Sequence, residues 1–147
     1  MDYTLKASKV LSRNDTGETH SHQSGISIVR QIARSGIFPT MTTDVLNPRV
    51  NVSFIDGDGI TWTFPYIYYN DKYFGKPASK CHDEFRITCV KDFINRYSIC
   101  SGDTIWFAVG TDGNRYIGYE KANSISNLNE NEDNVIHIRG GWKIVKI

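Results

Sequence analysis

Residues 3–11 (YTLKASKVL) mix β-branched and aromatic positions with lysines, the texture of a first strand, and the pattern then breaks into a long polar stretch at residues 12–25 (SRNDTGETHSHQSG). Alternation resumes at residues 25–30 (GISIVR), a half-buried strand. Residues 31–36 offer one short helix, stopped by Gly36 and Pro39, and residues 38–48 form a turn-rich connection. Residues 49–55 and 60–69 are β-rich runs joined by Asp56-Gly-Asp-Gly59, the clearest hairpin signal in the chain. A second polar stretch, residues 70–88 (NDKYFGKPASKCHDEFRIT), ends on a short strand at 84–88. Val90, Phe93, Ile94 and Tyr97 then recur at three- and four-residue spacing, which predicts a second short helix with one apolar face. Ser101-Gly-Asp103 turns the chain into residues 104–109 (TIWFAV), apolar on both faces and so a central strand. Asp112-Gly-Asn114 makes another hairpin turn into residues 115–121; residues 123–134 are a polar loop, and 142–147 alternate as a closing strand. The pattern predicts a mainly β fold with two short helices: a seven- or eight-stranded barrel, one domain over residues 1–147, without repeat or linker.

The two polar stretches are the anomaly. A polar excursion of this length inside a compact domain is costly to order unless it has a function, so they read as two arms set on a scaffold. Composition adds little: 147 residues with 39% hydrophobic content can bury a core unaided. The net charge of +1 is not that of a broadly basic nucleic-acid binder, but it is mildly sorted. Lys72, Lys76, Lys80, Arg86 and Lys91 outnumber Asp71, Asp83 and Glu84 in and just after the second arm, while Glu130, Glu132 and Asp133 gather in the late loop. Three cysteines without a CxxC pair suit a reducing compartment. No membrane span or signal peptide is read, so a cytoplasmic protein without a membrane partner is expected.

Particular residues in the arms then become informative. Leu11-Ser-Arg-Asn-Asp-Thr-Gly17, His22-Gln23, Gly25-Ile26, Tyr68-Tyr-Asn70, Phe74-Gly-Lys76 and Arg86-Ile-Thr88 closely resemble the N-terminal effector domain of EcoRII-like restriction endonucleases. Asp92-Phe93, Ser101-Gly-Asp103 and Phe107 are similar to the helix-then-strand signature of the plant B-three transcription-factor domain. The resemblance implies a bacterial DNA-binding pseudobarrel, acting as a monomer, whose two arms grip double-stranded DNA in the major groove. It further implies the target CC(A/T)GG and the recognition or effector role of a type IIE enzyme, with cleavage in a covalently linked nuclease domain. A chain that stops on a strand fits a domain excised from such an enzyme. By the same resemblance His22 matches an arm histidine, Lys76 the lysine of Phe-Gly-Lys, and Glu84 and Arg86 the acid and base before Ile-Thr. Ser27 stands where the family has an arm tyrosine, Phe85 where it has a lysine, and extra residues between Pro77 and Asp83 leave open whether Lys80 replaces an arginine. These departures bear on the target sequence.

The residue chemistry agrees without the family. Base edges in the major groove present distinct donor and acceptor patterns, so a reader needs short, rigid, mixed groups. Arg86 can fork onto guanine and Glu84 can accept from a cytosine amino group, and their i, i+2 spacing on a strand puts both on one face. Asn14, Asp15, Thr16, His22 and Gln23 offer such groups from the first arm. Lys72, Lys76 and Lys91 suit phosphates, and Arg13 could serve either. Plainer readings stand beside these: Asn14-Asp-Thr-Gly17 as an Asx-type turn, and Glu84 with Arg86 as a solvated ion pair. His20, His22, Cys81 and His82 are metal-ligand types at poor spacing, and a small metal- or ligand-binding barrel whose arms form a lid is the rival reading. No cofactor is expected. Cys89 and Cys100 read as small buried hydrophobes, and Trp62, Trp106 and Trp142 as core. Neither an acid-x-Lys nor a His-x-Lys nuclease signature is present, and Asp56 with Asp58 reads as hairpin chemistry, so the chain is expected to be non-catalytic.

Overall fold

A computed structural model describes residues 2–20, 25–77, 81–124 and 135–147. It contains β1 (Tyr3–Val10), β2 (Ile26–Ile28), α1 (Arg30–Ala33), β3 (Arg49–Ile55), β4 (Thr61–Tyr69), β5 (Glu84–Ile87), α2 (Lys91–Arg96), β6 (Thr104–Gly110), β7 (Arg115–Glu120), β8 (Val135–His137) and β9 (Trp142–Lys146). The strands form a single curled sheet in the order β2-β5-β4-β3-β7-β6-β1-β9-β8. Two antiparallel halves meet at β3 and β7, which run parallel through the pairing of Ile55 with Tyr116. Near its two ends the sheet is drawn together by the Trp142 indole, whose Nε1 donates to the Ser27 carbonyl at 3.3 Å, so β9 reaches β2 without a ladder. This gives the pseudobarrel that the hydrophobic pattern implies, with one strand more: β8, whose three residues are too short to register as periodicity.

Aromatic side chains fill the interior. Phe38 stacks on Tyr66 at 5.0 Å between centroids, and Phe54 and Phe107 meet edge to face at 5.2 Å. Phe93 and Ile94 of α2 close one flank of this core. The helix ends in a Schellman turn: Ile99 N–H donates to the Ile94 carbonyl, Ser98 N–H to that of Asn95, and Ser98 takes the left-handed conformation at φ 51°. The Asp56-Gly-Asp-Gly hairpin is explained by Asp56, whose buried carboxylate accepts from the Asp58 and Ile60 amides, from Trp62 Nε1 at 2.8 Å and from the Tyr97 hydroxyl. Burial opposes its ionisation, but these hydrogen bonds hold its carboxyl below the usual range.

Three expectations about small features change. Cys89 and Cys100 are exposed, because they occupy the turns entering and leaving α2 while Val90, Phe93 and Ile94 take the buried face. Trp142 is core, but Trp62 and Trp106 are only half-buried. The Trp106 ring lies flat over its cross-strand partner Gly118, where a Cβ would sit 2.1 Å from the indole. The first helix spans Arg30–Ala33, a single turn, rather than residues 31–36.

Candidate nucleic-acid interface

Both polar stretches are rooted in the barrel by buried polar groups. In the first, Asp15 lies beneath the turn and its Oδ2 accepts from Lys9 Nζ at 2.6 Å, both residues being buried. The same carboxylate accepts from the Ser12 amide at 2.9 Å, and Ser12 Oγ accepts from the Asp15 amide at 3.2 Å. A buried lysine is costly unless paired, so this contact fixes how the arm leaves β1. Asp15, predicted to face bases, is therefore an anchor, and the Asx-turn reading describes its geometry. Thr16 Oγ1 donates to the Arg13 carbonyl, and Asn14 Oδ1 accepts from Thr19 Oγ1 at 3.0 Å, leaving the Asn14 amide nitrogen for an outside partner. Arg13 is the most outward of the set, with only a loose approach of 3.7 Å to Glu18.

The second stretch is rooted at Asn70, which is fully buried. Its Nδ2 donates to the Val45 carbonyl at 2.8 Å and its Oδ1 accepts from the Asn47 amide at 2.8 Å, clamping the 42–47 loop to the base of the arm. Asp71 closes the loop by accepting from the His82 amide and from His82 Nδ1, the latter at 2.9 Å, with Lys76 Nζ at 3.2 Å. The hydrogen bonds from His82 lead in lowering its carboxyl to about 2. Asp83 collects Arg30, Lys72 Nζ at 2.5 Å and the Tyr68 hydroxyl at 2.5 Å. Burial resists its charge, but these partners keep its carboxyl below the ordinary range. Lys72 and Lys76 are thus paired within the arm yet exposed, ready to exchange a carboxylate for a phosphate. Tyr73 and Phe74 are also exposed, at 50% and 43%. Two aromatics inside an otherwise polar stretch are the signal by which sequence reasoning could have singled them out.

The stretches meet the sheet at opposite ends of the β2–β5 ladder, which pairs Ile26 with Ile87, Ser27 with Arg86 and Ile28 with Phe85. Ile26, Ile28 and Ile87 point into the core, so Ser27, Glu84 and Arg86 share the outer face, as the i, i+2 spacing predicts. At one end Gly25, with φ 90°, passes so close to β5 that a Cβ would lie 2.2 Å from the Ile87 carbonyl oxygen. Four residue steps separate Gly25 from Val29 at the other end, a jaw of about 13 Å at the usual strand rise. Arg86 spans the outer face: its guanidinium donates to Glu84 Oε1 at 2.8 Å and to the Gly25 carbonyl at 3.3 Å, and only about a tenth of its side chain is exposed. Beside the ladder a cavity of about 380 Å³ is bordered by Ser27, Arg30, Glu84 and Arg139, the last not singled out from sequence. The predicted site residues His22, Gln23 and Lys80 lie outside the described residues. Among the described residues no three His, Cys, Asp or Glu side chains converge as a metal site would need.

Known proteins share this fold and these residues. The protein of the Arabidopsis FUS3–DNA complex superposes with a TM-score of 0.59 at 20% identity, covering 78% of this chain and 95% of that one. A hypothetical Arabidopsis thaliana protein superposes with a TM-score of 0.50 at 15% identity, covering 84% of this chain and 97% of its own. Auxin response factors 3 and 14 of Oryza sativa subsp. japonica are each 29% identical over 119 residues, 81% of this chain. The chain spans only 14% and 15% of the length of those two relatives. Residues 3–96, which hold both arms and the ladder between them, match the family described as restriction endonuclease EcoRII, N-terminal, and the chain belongs to that family.

Proposed function

We propose that this domain binds double-stranded DNA sequence-specifically, with its two arms in the major groove and the outer face of β2–β5 between them. The observation that carries the reading is the pair of arms rooted about 13 Å apart across one short ladder, close to the roughly 12 Å width of a major groove, with Ser27, Glu84 and Arg86 between the roots. Family membership and a shared fold with a protein solved on DNA support it. In this reading Arg13, Asn14, Thr16, Ser27, Glu84 and Arg86 face base edges or the backbone beside them, with His22, Gln23 and Lys80 completing the arms. Lys72 and Lys76 meet phosphates, which position the protein without reading sequence. Asp15 acts through Lys9 and Ser12 rather than by touching DNA. We further propose CC(A/T)GG as the target, a monomer as the binding form, and service as the recognition or effector domain of a type IIE restriction endonuclease whose cleavage centre lies in another domain.

Fluorescence anisotropy tests this with a CC(A/T)GG duplex, a scrambled duplex and either single strand at several salt concentrations. The target duplex should bind most tightly, and its affinity should fall steeply with salt as phosphate contacts release counterions. Equal affinity for single strands and both duplexes, or indifference to salt, would instead favour arms that form a lid over a small ligand.

A further inference from the structure

The barrel's seam is drawn together at one end and gapes at the other. Where the first arm enters the sheet, Trp142 Nε1 bonds the Ser27 carbonyl, and Gly140 lies against the Val29 side chain at the distance of ordinary contact. Toward the opposite end, between α1 and the β8–β9 edge, there is an opening of about 570 Å³, within the range of small-ligand pockets. Its floor is apolar. Ile136 and Ile144 are cross-strand partners on β8 and β9, and Leu5 and Ile138 complete the surface. Ile144 is buried, yet Ile136 beside it is 52% exposed, because no strand covers it. A large aliphatic side chain left half in water next to a core residue marks a surface that lacks an occupant.

The rim supplies the complement. Arg34, Arg139 and Lys146 border the opening, and among its described lining residues there is no carboxylate. Neither Arg34 nor Lys146 takes an ion pair with a described residue. The other two cavities differ on this point: the one beside β2 includes Asp83 and Glu84, and the one under the Asp56 hairpin includes Asp56 and Asp58. Gln31 and Ser35 add neutral polar groups at the mouth. Uncompensated cations above an aliphatic floor fit a molecule with a charged head and a hydrocarbon body.

We propose that this open end of the seam binds an amphipathic organic anion, with its acid group between Arg34 and Lys146 and its apolar body on Ile136, Ile144 and Leu5. The site is separate from the arms and does not depend on their reading. Anilinonaphthalene sulfonate, an anion with an apolar body, serves as the reporter, with octanoate, octan-1-ol and acetate as competitors. Octanoate should displace the dye at a concentration at least tenfold below that needed with octan-1-ol, and acetate should fail, since both head and body are required. Ile136→Asp, at an exposed position, and the double variant Arg34→Glu, Lys146→Glu should each weaken octanoate at least tenfold. In the unaltered protein octanoate should shift the amide resonances of Leu5, Ile136 and Ile144. This last measurement decides the matter should a variant fail to fold. Displacement by octan-1-ol as effective as by octanoate, unchanged affinity in folded Ile136→Asp, or amide shifts confined to other residues would overturn the proposal.

Discussion

Arg86→Ala is the perturbation that most sharply separates support from recognition. The guanidinium is nearly buried, and two contacts would be lost: a charge-assisted bond of 2.8 Å to Glu84 and a longer one of 3.3 Å to the Gly25 carbonyl. A hydrogen bond to a charged group contributes about 1.5–3 kcal/mol. Glu84 is about a third exposed and therefore partly screened, which puts the first contact at the low end; the second is long enough to add little. The expected loss is about 2 kcal/mol of domain stability, read by urea unfolding, or roughly 4–8 °C in melting temperature for a chain of this size. DNA binding should lose a further 1–3 kcal/mol or so and discrimination should relax at one base pair. Glu84→Gln keeps an acceptor and loses the charge, and a cycle with Arg86→Ala should return a coupling of about 1 kcal/mol. If Arg86→Ala unfolds within about 0.5 kcal/mol of the parent, the guanidinium does not tie the arm to the ladder. If it is destabilised but distinguishes target from scrambled duplex as the parent does, Arg86 is a strut and not a reader.

Asp15→Ala leaves Lys9 buried without its partner and should cost about 3–5 kcal/mol in urea unfolding; a loss below about 1 kcal/mol would show that the pair does not anchor the first arm. Folding lowers the Asp71 carboxyl from 3.8 to about 2, so its contribution is complete above pH ~4 and is lost as pH falls toward 2. Amide exchange at Lys72 and Tyr73 should therefore quicken over that interval in the parent, and Asp71→Asn should remove the dependence. Lys76→Ala should weaken every duplex alike and make the slope of log affinity against log salt shallower by about 0.9; a change confined to one sequence would assign Lys76 to base reading.

Much of the scaffold is legible in local pattern. The Asp56-Gly-Asp-Gly and Asp112-Gly-Asn turns join the strands they predict, and TIWFAV, apolar on both faces, lies between β7 and β1 in the sheet. The arms show themselves as polar excursions, and the i, i+2 rule puts Glu84 and Arg86 on one face. What binds the arms down is not legible, because it depends on pairs distant in sequence or unusual in type. Lys9 in a strand reads as a wet surface residue until Asp15 folds beneath it. Asn70 with Asn47, Asp83 with Arg30 and Arg86 with Gly25 join segments 23 to 61 residues apart, and no periodicity links them. The three-residue β8 and the exposure of Cys89 and Cys100 fail for a related reason: short elements and turns carry too few side chains to display a face.

Selection of bound duplexes from a random pool, with the selected sequence then compared against its single strands, tests the central claim most directly. The account predicts one short consensus, bound as duplex and lost when both arms are altered by Arg13→Ala with Glu84→Gln. A pool that returns no consensus, or single strands that bind as well as the duplex, would contradict it.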